Sequence, residues 1–277
     1  VWERRYNLFS PDRTEGNQRS YSLIDLQKLL NVKLLYENGS KISKIAAYSD
    51  DELPKHVFSL ISEMKASHQA VDILKMAMLE FDQNLFEKTY LQLISNLSFR
   101  RVFLDVFIPL LEHIGYLWQV DSIGPSHEHF ISSLIQQKVL SNVERIQTIP
   151  HHRSDKVFVL YLPYGEIHDL GLLYLHYELI LRGYKSIYLG QSMPLDSLIQ
   201  MHEVFDKITY ASYFTVHPSK DELKTYCGRV KNDLLVRPGD EMWILGRMVM
   251  DIDSEDVGPR AHLFGRLNVA LEHISNQ

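Results

Sequence analysis

His168 is the side chain in this chain best placed to bind a ligand or a metal. It sits in the hexapeptide Glu166-Ile167-His168-Asp169-Leu170-Gly171. An apolar, β-branched run at 157–161 precedes the hexapeptide, and a helix-like pattern at 170–181 follows it. That puts the imidazole in a loop at the carboxyl end of a strand, where ligands bind in open α/β sheets. A loop imidazole offers one nitrogen to a metal while a neighbouring carboxylate holds its other N–H. Read alone, the hexapeptide is a weak signal, because a loop histidine after a strand is more often a surface residue.

Two other groups of residues could do chemistry. The first is Trp118, followed after nine residues by the pair Glu128-His129. An indole excludes water from whatever lies beneath it, and the pair supplies polar contacts beside it. A bundle-core tryptophan and a solvated pair are the plainer alternative. The second is the basic start of the chain. Residues 1–45 hold eight Lys or Arg against five Asp or Glu, in a chain whose net charge is −6. A basic head on an acidic body suits a nucleic-acid contact confined to the amino-terminal end.

The elements that must position these residues fall into three blocks. Residues 22–30 have helical period, with Ser22 and Asp25 at the opening as a capping arrangement. Asn38-Gly39 marks a turn, 40–47 a short helix with Ile42, Ile45 and Ala46 inward, and 55–65 a helix bridging to the body. Apolar residues then recur at three- and four-residue spacing over 67–80, 83–96, 99–117 and 125–147, which is a four-helix bundle pattern. Beyond residue 151 strands and helices alternate. Strands are expected at 157–161, 186–189, 207–213, 242–245 and 261–264, with helices at 169–182, 194–205, 219–232 and 265–275. Gly183 stands at a helix C-cap. Such alternation implies a parallel sheet with right-handed crossovers; likeness to flavodoxin-like folds adds a strand order of 2-1-3-4-5, with a site at the switch between strands one and three.

Composition narrows the class further. Cys227 is the only cysteine, so a disulfide framework or a Cys-rich zinc site is excluded. This suits a reducing cytoplasm. No apolar run approaches the roughly 20 residues that span a bilayer. No nucleophile–base arrangement stands out, so no enzyme is implied.

The three segments together resemble one family. The start, VWERRYNLFSPDRTEGNQRSYSLIDLQKLL, resembles the MerR-type DNA-binding domain. Trp118 with Glu128-His129 resembles the helical cap of CarH-type photoreceptor regulators. EIHDLG resembles the E/D-x-H-x-x-G motif of cobalamin-binding domains. The resemblance implies a mixed α and α/β chain: a winged-helix, MerR-type head and connecting helix at 1–64, a four-helix bundle cap at 65–150, and a flavodoxin/Rossmann-like parallel sheet domain at 151–277. It implies cobalamin, as adenosylcobalamin or a related corrinoid, with His168 replacing the cofactor's own base beneath cobalt. Trp118, Glu128 and His129 would lie over the upper face.

Glu166, Asp169 and Gly171 complete the resembling motif. The family has a Ser-x-Leu-like stretch after strand three and Gly-Gly after strand four, which make room for the nucleotide tail. Here Ser212 and Thr215 are the candidates in the first, and Gly246 matches in the second. Arg247 replaces the second glycine, and would either obstruct the tail or bind its phosphate. Gln119 stands where these photoreceptors have a histidine that ligates cobalt after photolysis, and an amide is a poor cobalt ligand.

At the DNA end, Arg4, Arg5 and Tyr6 would close the recognition helix. Arg13, Asn17, Arg19 and Tyr21 would lie on the wing. A first helix and most of a second would precede Val1. The implied function is a transcriptional regulator that binds double-stranded DNA as a homodimer or homotetramer and senses a corrinoid. A regulator that keeps the fold without cobalamin and answers to a protein partner is the alternative, followed by a corrinoid carrier protein.

Overall fold

The computed structural model describes residues 12–13, 19–20, 23–119 and 123–275. Arg4, Arg5, Tyr6, Asn17, Tyr21 and the capping residue Ser22 lie outside these, as does the end of the recognition helix. The chain divides into two compact units, residues 1–128 and 129–277.

The first unit opens with a two-stranded antiparallel ribbon, β1 (Asp12–Arg13) and β2 (Arg19–Ser20), in which Arg13 is the register partner of Arg19. It falls within 8–21, where the wing is expected. Helix α1 (Leu23–Glu37) follows, then the short α2 (Ile42–Ile45). Val32 and Leu35 of α1 pack with Ile45, Leu53 and Val57 into a small core of their own, with Ile42 and Ala46 against it.

Helix α3 (Glu52–Leu79) starts from a reciprocal Ser49–Glu52 pair. The Ser49 N–H and hydroxyl both donate to Glu52 at 2.9 Å. Apolar spacing predicts two helices here, at 55–65 and 67–80; there is one of 28 residues. The intervening sequence, Glu63-Met64-Lys65-Ala66-Ser67, contains no glycine or proline to break it, and Pro54 falls in the first turn where it is tolerated.

Helix α4 (Gln83–Ile94) is capped by Asp82, whose carboxylate accepts from the Leu85 N–H at 2.9 Å. Helix α5 (Phe99–Val102) runs through a π-helical turn, Phe103–Phe107, into α6 (Ile108–Gln119). Pro109 has no N–H to give to the carbonyl of Asp105, and the widened turn lies just before it. Leu74 and Met78 of α3, Phe86 of α4, and Phe103, Val106, Phe107 and Leu110 are all fully buried and form the centre of this unit. The helical spacing seen in sequence places them there.

Helix α7 (Pro125–Ile146) begins at the end of the first unit and lies mostly in the second. The second unit is a five-stranded sheet flanked by helices. In chain order it contains β3 (Arg153–Pro163), α8 (Leu170–Leu181), β4 (Tyr184–Met193), α9 (Leu195–Leu198) and β5 (Ile208–Tyr213). There follow α10 (Lys220–Arg229), β6 (Glu241–Leu245), α11 (Ser254–Val257), β7 (Ala261–Phe264) and α12 (Leu267–Ser275).

The strands pair in parallel in the order β4-β3-β5-β6-β7, the 2-1-3-4-5 order expected. Residues 158–162 of β3 are buried without interruption, because helices cover both faces of a parallel sheet. Gly183 has φ of +78° at the end of α8, the C-cap conformation that its position suggests. Among the described residues, no helix is long and apolar enough to cross a membrane.

Candidate functional site at the carboxyl end of the sheet

The order β4-β3-β5 places the switch point between β3 and β5, and the loops leaving these two strands meet there. Their meeting is organised by one carboxylate. Glu166 is fully buried. Its Oε2 accepts three successive backbone N–H groups from the loop after β5: Thr215 at 3.0 Å, Val216 at 2.7 Å and His217 at 2.9 Å. Its Oε1 accepts the N–H groups of Ile167 and His168, at 2.9 and 3.1 Å, and lies 2.5 Å from Nδ1 of the His168 ring.

Burial works to raise the pKa of Glu166. The hydrogen bonds from the His168 ring and from the backbone of His217, Val216 and His168 outweigh it, and the carboxyl is held well below the usual carboxylate range. Glu166 is therefore an anion. An anion accepts only, so Nδ1 of His168 carries the proton and Nε2 is the basic nitrogen. The His168 side chain keeps 43% of its surface exposed while its partner keeps none. A buried carboxylate that orients an accessible imidazole is the arrangement that fixes a metal-binding histidine in one tautomer and raises its basicity.

Asp169 points elsewhere. Its carboxylate accepts from Nε2 of Gln136, at 3.0 and 3.1 Å, and from the Tyr188 hydroxyl at 2.9 Å. Burial, and then the charge of Asp169, push the Tyr188 hydroxyl well above its ordinary pKa, so Tyr188 remains a neutral donor. Gln136 belongs to α7, so this bond ties the histidine loop to that helix. His129 lies seven residues before Gln136, close to two helical turns, and is exposed on the same helix. Further bonds fix the loop to the end of β4: Gly165 N–H to Ser192 Oγ at 3.0 Å, and Gln191 Nε2 to the Ile167 carbonyl at 2.9 Å.

The two glycines face the same side chain. A Cβ on Gly171 would lie 2.6 Å from Cε2 of Tyr213, and one on Gly246 would lie 3.0 Å from its Cδ1. Ser212 is buried at the end of β5, and its hydroxyl donates to the Tyr161 carbonyl at 2.7 Å. Thr215 contributes its N–H to Glu166, and its carbonyl accepts from Nε of Arg247 at 2.8 Å. Arg247 is thus laid along the loop after β5.

The structure brings Glu166, His168, Gly171, Thr215 and Gly246 to one edge of the sheet. Trp118 lies in α6 of the first unit, and its side chain is outside the described residues, as is that of Gln119. Glu128 is half-buried at the end of the first unit, and His129 opens the second.

Sequence reading missed Gln136, Tyr188, Tyr213 and the amide collar at 215–217. No local pattern marks the first three. The collar stood in the sequence as the loop after strand three, without the carboxylate that it receives.

Among the described residues, no three His, Cys, Asp or Glu side chains gather as ligands for a metal ion. A single oriented imidazole suits a metal that arrives with its remaining ligands already bound. A corrin, whose four ring nitrogens hold the cobalt, is such a group, and His168 is the residue that would hold it.

Comparison with known proteins bears on the start of the chain and on its helical middle. Residues 1–52 match the family model of the MerR HTH family regulatory protein, and residues 70–140 match that of a B12 binding domain. The chain is 26% identical over 208 residues to the HTH-type transcriptional repressor CarH of Myxococcus xanthus, across 72% of this chain and 67% of the relative. It is 27% identical over 201 residues to the repressor CarA of the same organism, across 72% of this chain and 64% of the relative. The match thus spans about two thirds of each.

Among solved structures, the Methanosarcina barkeri monomethylamine corrinoid protein superposes with a TM-score of 0.60 at 13% identity, over 75% of this chain and 99% of that one. That likeness is one of fold. The chain thus carries a match to a MerR HTH domain followed by a match to a B12 binding domain, and is similar to two HTH-type transcriptional repressors.

Proposed function

We propose that this protein is a cytoplasmic, DNA-binding transcriptional regulator that senses a corrinoid, adenosylcobalamin or a close relative, and that it is not an enzyme. The observation that carries the reading is the Glu166–His168 pair: a fully buried anion 2.5 Å from Nδ1 of an accessible ring. When bound, the corrin supplies a cobalt–carbon bond whose state can be sensed. The protein's own part is to hold the lower side. Glu166 fixes the tautomer of His168, the amides of 215–217 fix Glu166, and Gln136 links the loop to α7, the helix whose first turns contain Glu128 and His129. Trp118, Glu128 and His129 are assigned to the upper face by resemblance. For the ligand to switch the regulator, it must bind two assemblies with different affinity. A dimer or tetramer presenting paired DNA heads would match palindromic half-sites.

The DNA contact rests on the ribbon. Arg13 and Arg19 are register partners in that ribbon, and both are cationic residue types. Phosphate contacts carry little sequence information. The double change Arg13→Ala with Arg19→Ala should therefore weaken binding to all duplexes. It should also lower the slope of log K against log salt by about 0.9 for each phosphate that the protein no longer neutralises.

Gel shifts on DNA from the protein's own promoter region, with and without adenosylcobalamin, test both halves. Regulation requires that the corrinoid change the affinity or the stoichiometry of the shifted species. DNA binding indifferent to the corrinoid would favour the reading in which the fold answers to a protein partner. Indifference to the double arginine change would remove the wing from the DNA interface.

A further inference from the structure

We infer that Tyr213 plugs the crevice beside His168, and that this site selects corrinoids lacking the bulky nucleotide base over cobalamin. The inference rests on the corrinoid reading above and adds a residue that sets which corrinoid is taken. If His168 occupies the lower axial position of cobalt, the benzimidazole of cobalamin cannot. The base hangs from the corrin's lower face on its nucleotide loop, so it must enter the protein on His168's side. Gly171 lies three residues beyond His168, and Gly246 follows β6, so both stand at the same carboxyl end of the sheet as the His168 loop. Both lack a side chain, and neither gap is open. The ring of Tyr213 lies in both, so close that a Cβ on Gly171 would sit 2.6 Å from Cε2 and one on Gly246 3.0 Å from Cδ1.

Tyr213 ends β5, where its backbone pairs with Leu245, and it is only half-buried. A base could enter only by displacing it, and would lose the packing of the ring against two glycine surfaces. A cobinamide, which ends before the nucleotide, makes no such demand and leaves His168 the same access to cobalt.

The test is a pair of absorption titrations of the full chain with diaquocobinamide and with aquocobalamin, in wild type, Tyr213→Ala and Tyr213→Phe. Detaching the base from cobalt costs cobalamin affinity in every variant, so the ratio between variants is what reads the plug. In Tyr213→Ala the ratio of the cobalamin Kd to the cobinamide Kd should fall by about tenfold or more relative to wild type, through tighter cobalamin binding. Tyr213→Phe, which keeps the ring, should keep the wild-type ratio.

An unchanged ratio in Tyr213→Ala overturns the inference while leaving corrinoid binding intact. Failure of both wild type and Tyr213→Ala to take up either corrinoid overturns the corrinoid reading and this inference with it. If Tyr213→Ala does not fold, Tyr213→Trp gives the opposite arm. Its larger ring should weaken cobalamin and spare cobinamide, and equal effects on the two would overturn the plug.

Discussion

Replacing Glu166 with alanine is expected to destabilise the second unit by at least about 3 kcal/mol. The carboxylate is buried and receives five backbone N–H groups and one ring nitrogen. Its loss leaves the amides of two loops without their acceptor, and a hydrogen bond to a charged group contributes more than a neutral one. Glu166→Gln should recover only part of the loss, because its NH2 would face donors.

The effect has a defined pH range. The carboxyl titrates in the folded protein below its ordinary value of 4.5, because the hydrogen bonds to the anion outweigh the opposing effect of burial. The stabilisation is therefore complete above that value and is lost as pH falls below it. Thermal unfolding of wild type and Glu166→Gln at several pH values should show a gap that is constant near neutrality and narrows in acid. A gap unaffected by acid would mean that Glu166 is not held as an anion by this collar.

The second large effect is expected at Gly246. Its φ is +107° and its ψ is 177°, a region open essentially to glycine alone. A Cβ there would lie 2.4 Å from the Phe214 carbonyl oxygen, which is backbone. That backbone is held in place: the Phe214 N–H donates to the Leu245 carbonyl at 2.8 Å, and the Gly246 N–H to the Phe264 carbonyl at 3.2 Å. Neither partner can shift without breaking the ends of β5 and β6. Gly246→Ala should cost about 2–4 kcal/mol. That corresponds to a fall of about 5–10 °C in the Tm of a unit of this size. Gly265→Ala, where an added Cβ meets nothing within 4 Å, serves as the control and should melt near wild type.

The contrast between these residues shows what sequence could reveal. The sheet was legible because β-branched runs, turn glycines and helical periods alternate along the chain, and each is a local signal. The strand order 2-1-3-4-5, expected by likeness to flavodoxin-like folds, is the order found. His168 was legible because its loop follows a strand directly. The single helix Glu52–Leu79 reads as two in sequence, because helix existence shows in periodicity while continuity across Glu63–Ser67 does not.

The role of Asp169 was least legible. Its residue type suggests a cofactor contact, yet its partners, Gln136 and Tyr188, lie 33 residues before it and 19 after it. The same holds for Tyr213, an ordinary strand aromatic in sequence. Its meaning depends on two glycines that belong to different loops.

The central claim is that the buried Glu166 presents His168 as the lower ligand of a corrinoid. It is tested by mixing the full chain with adenosylcobalamin in the dark, desalting, and recording the visible spectrum, with His168→Ala in parallel. Wild type should retain the corrin with its own base displaced and an imidazole in its place, and His168→Ala should lose the corrin or show a different lower ligand. Retention by His168→Ala with an unchanged spectrum would contradict the claim.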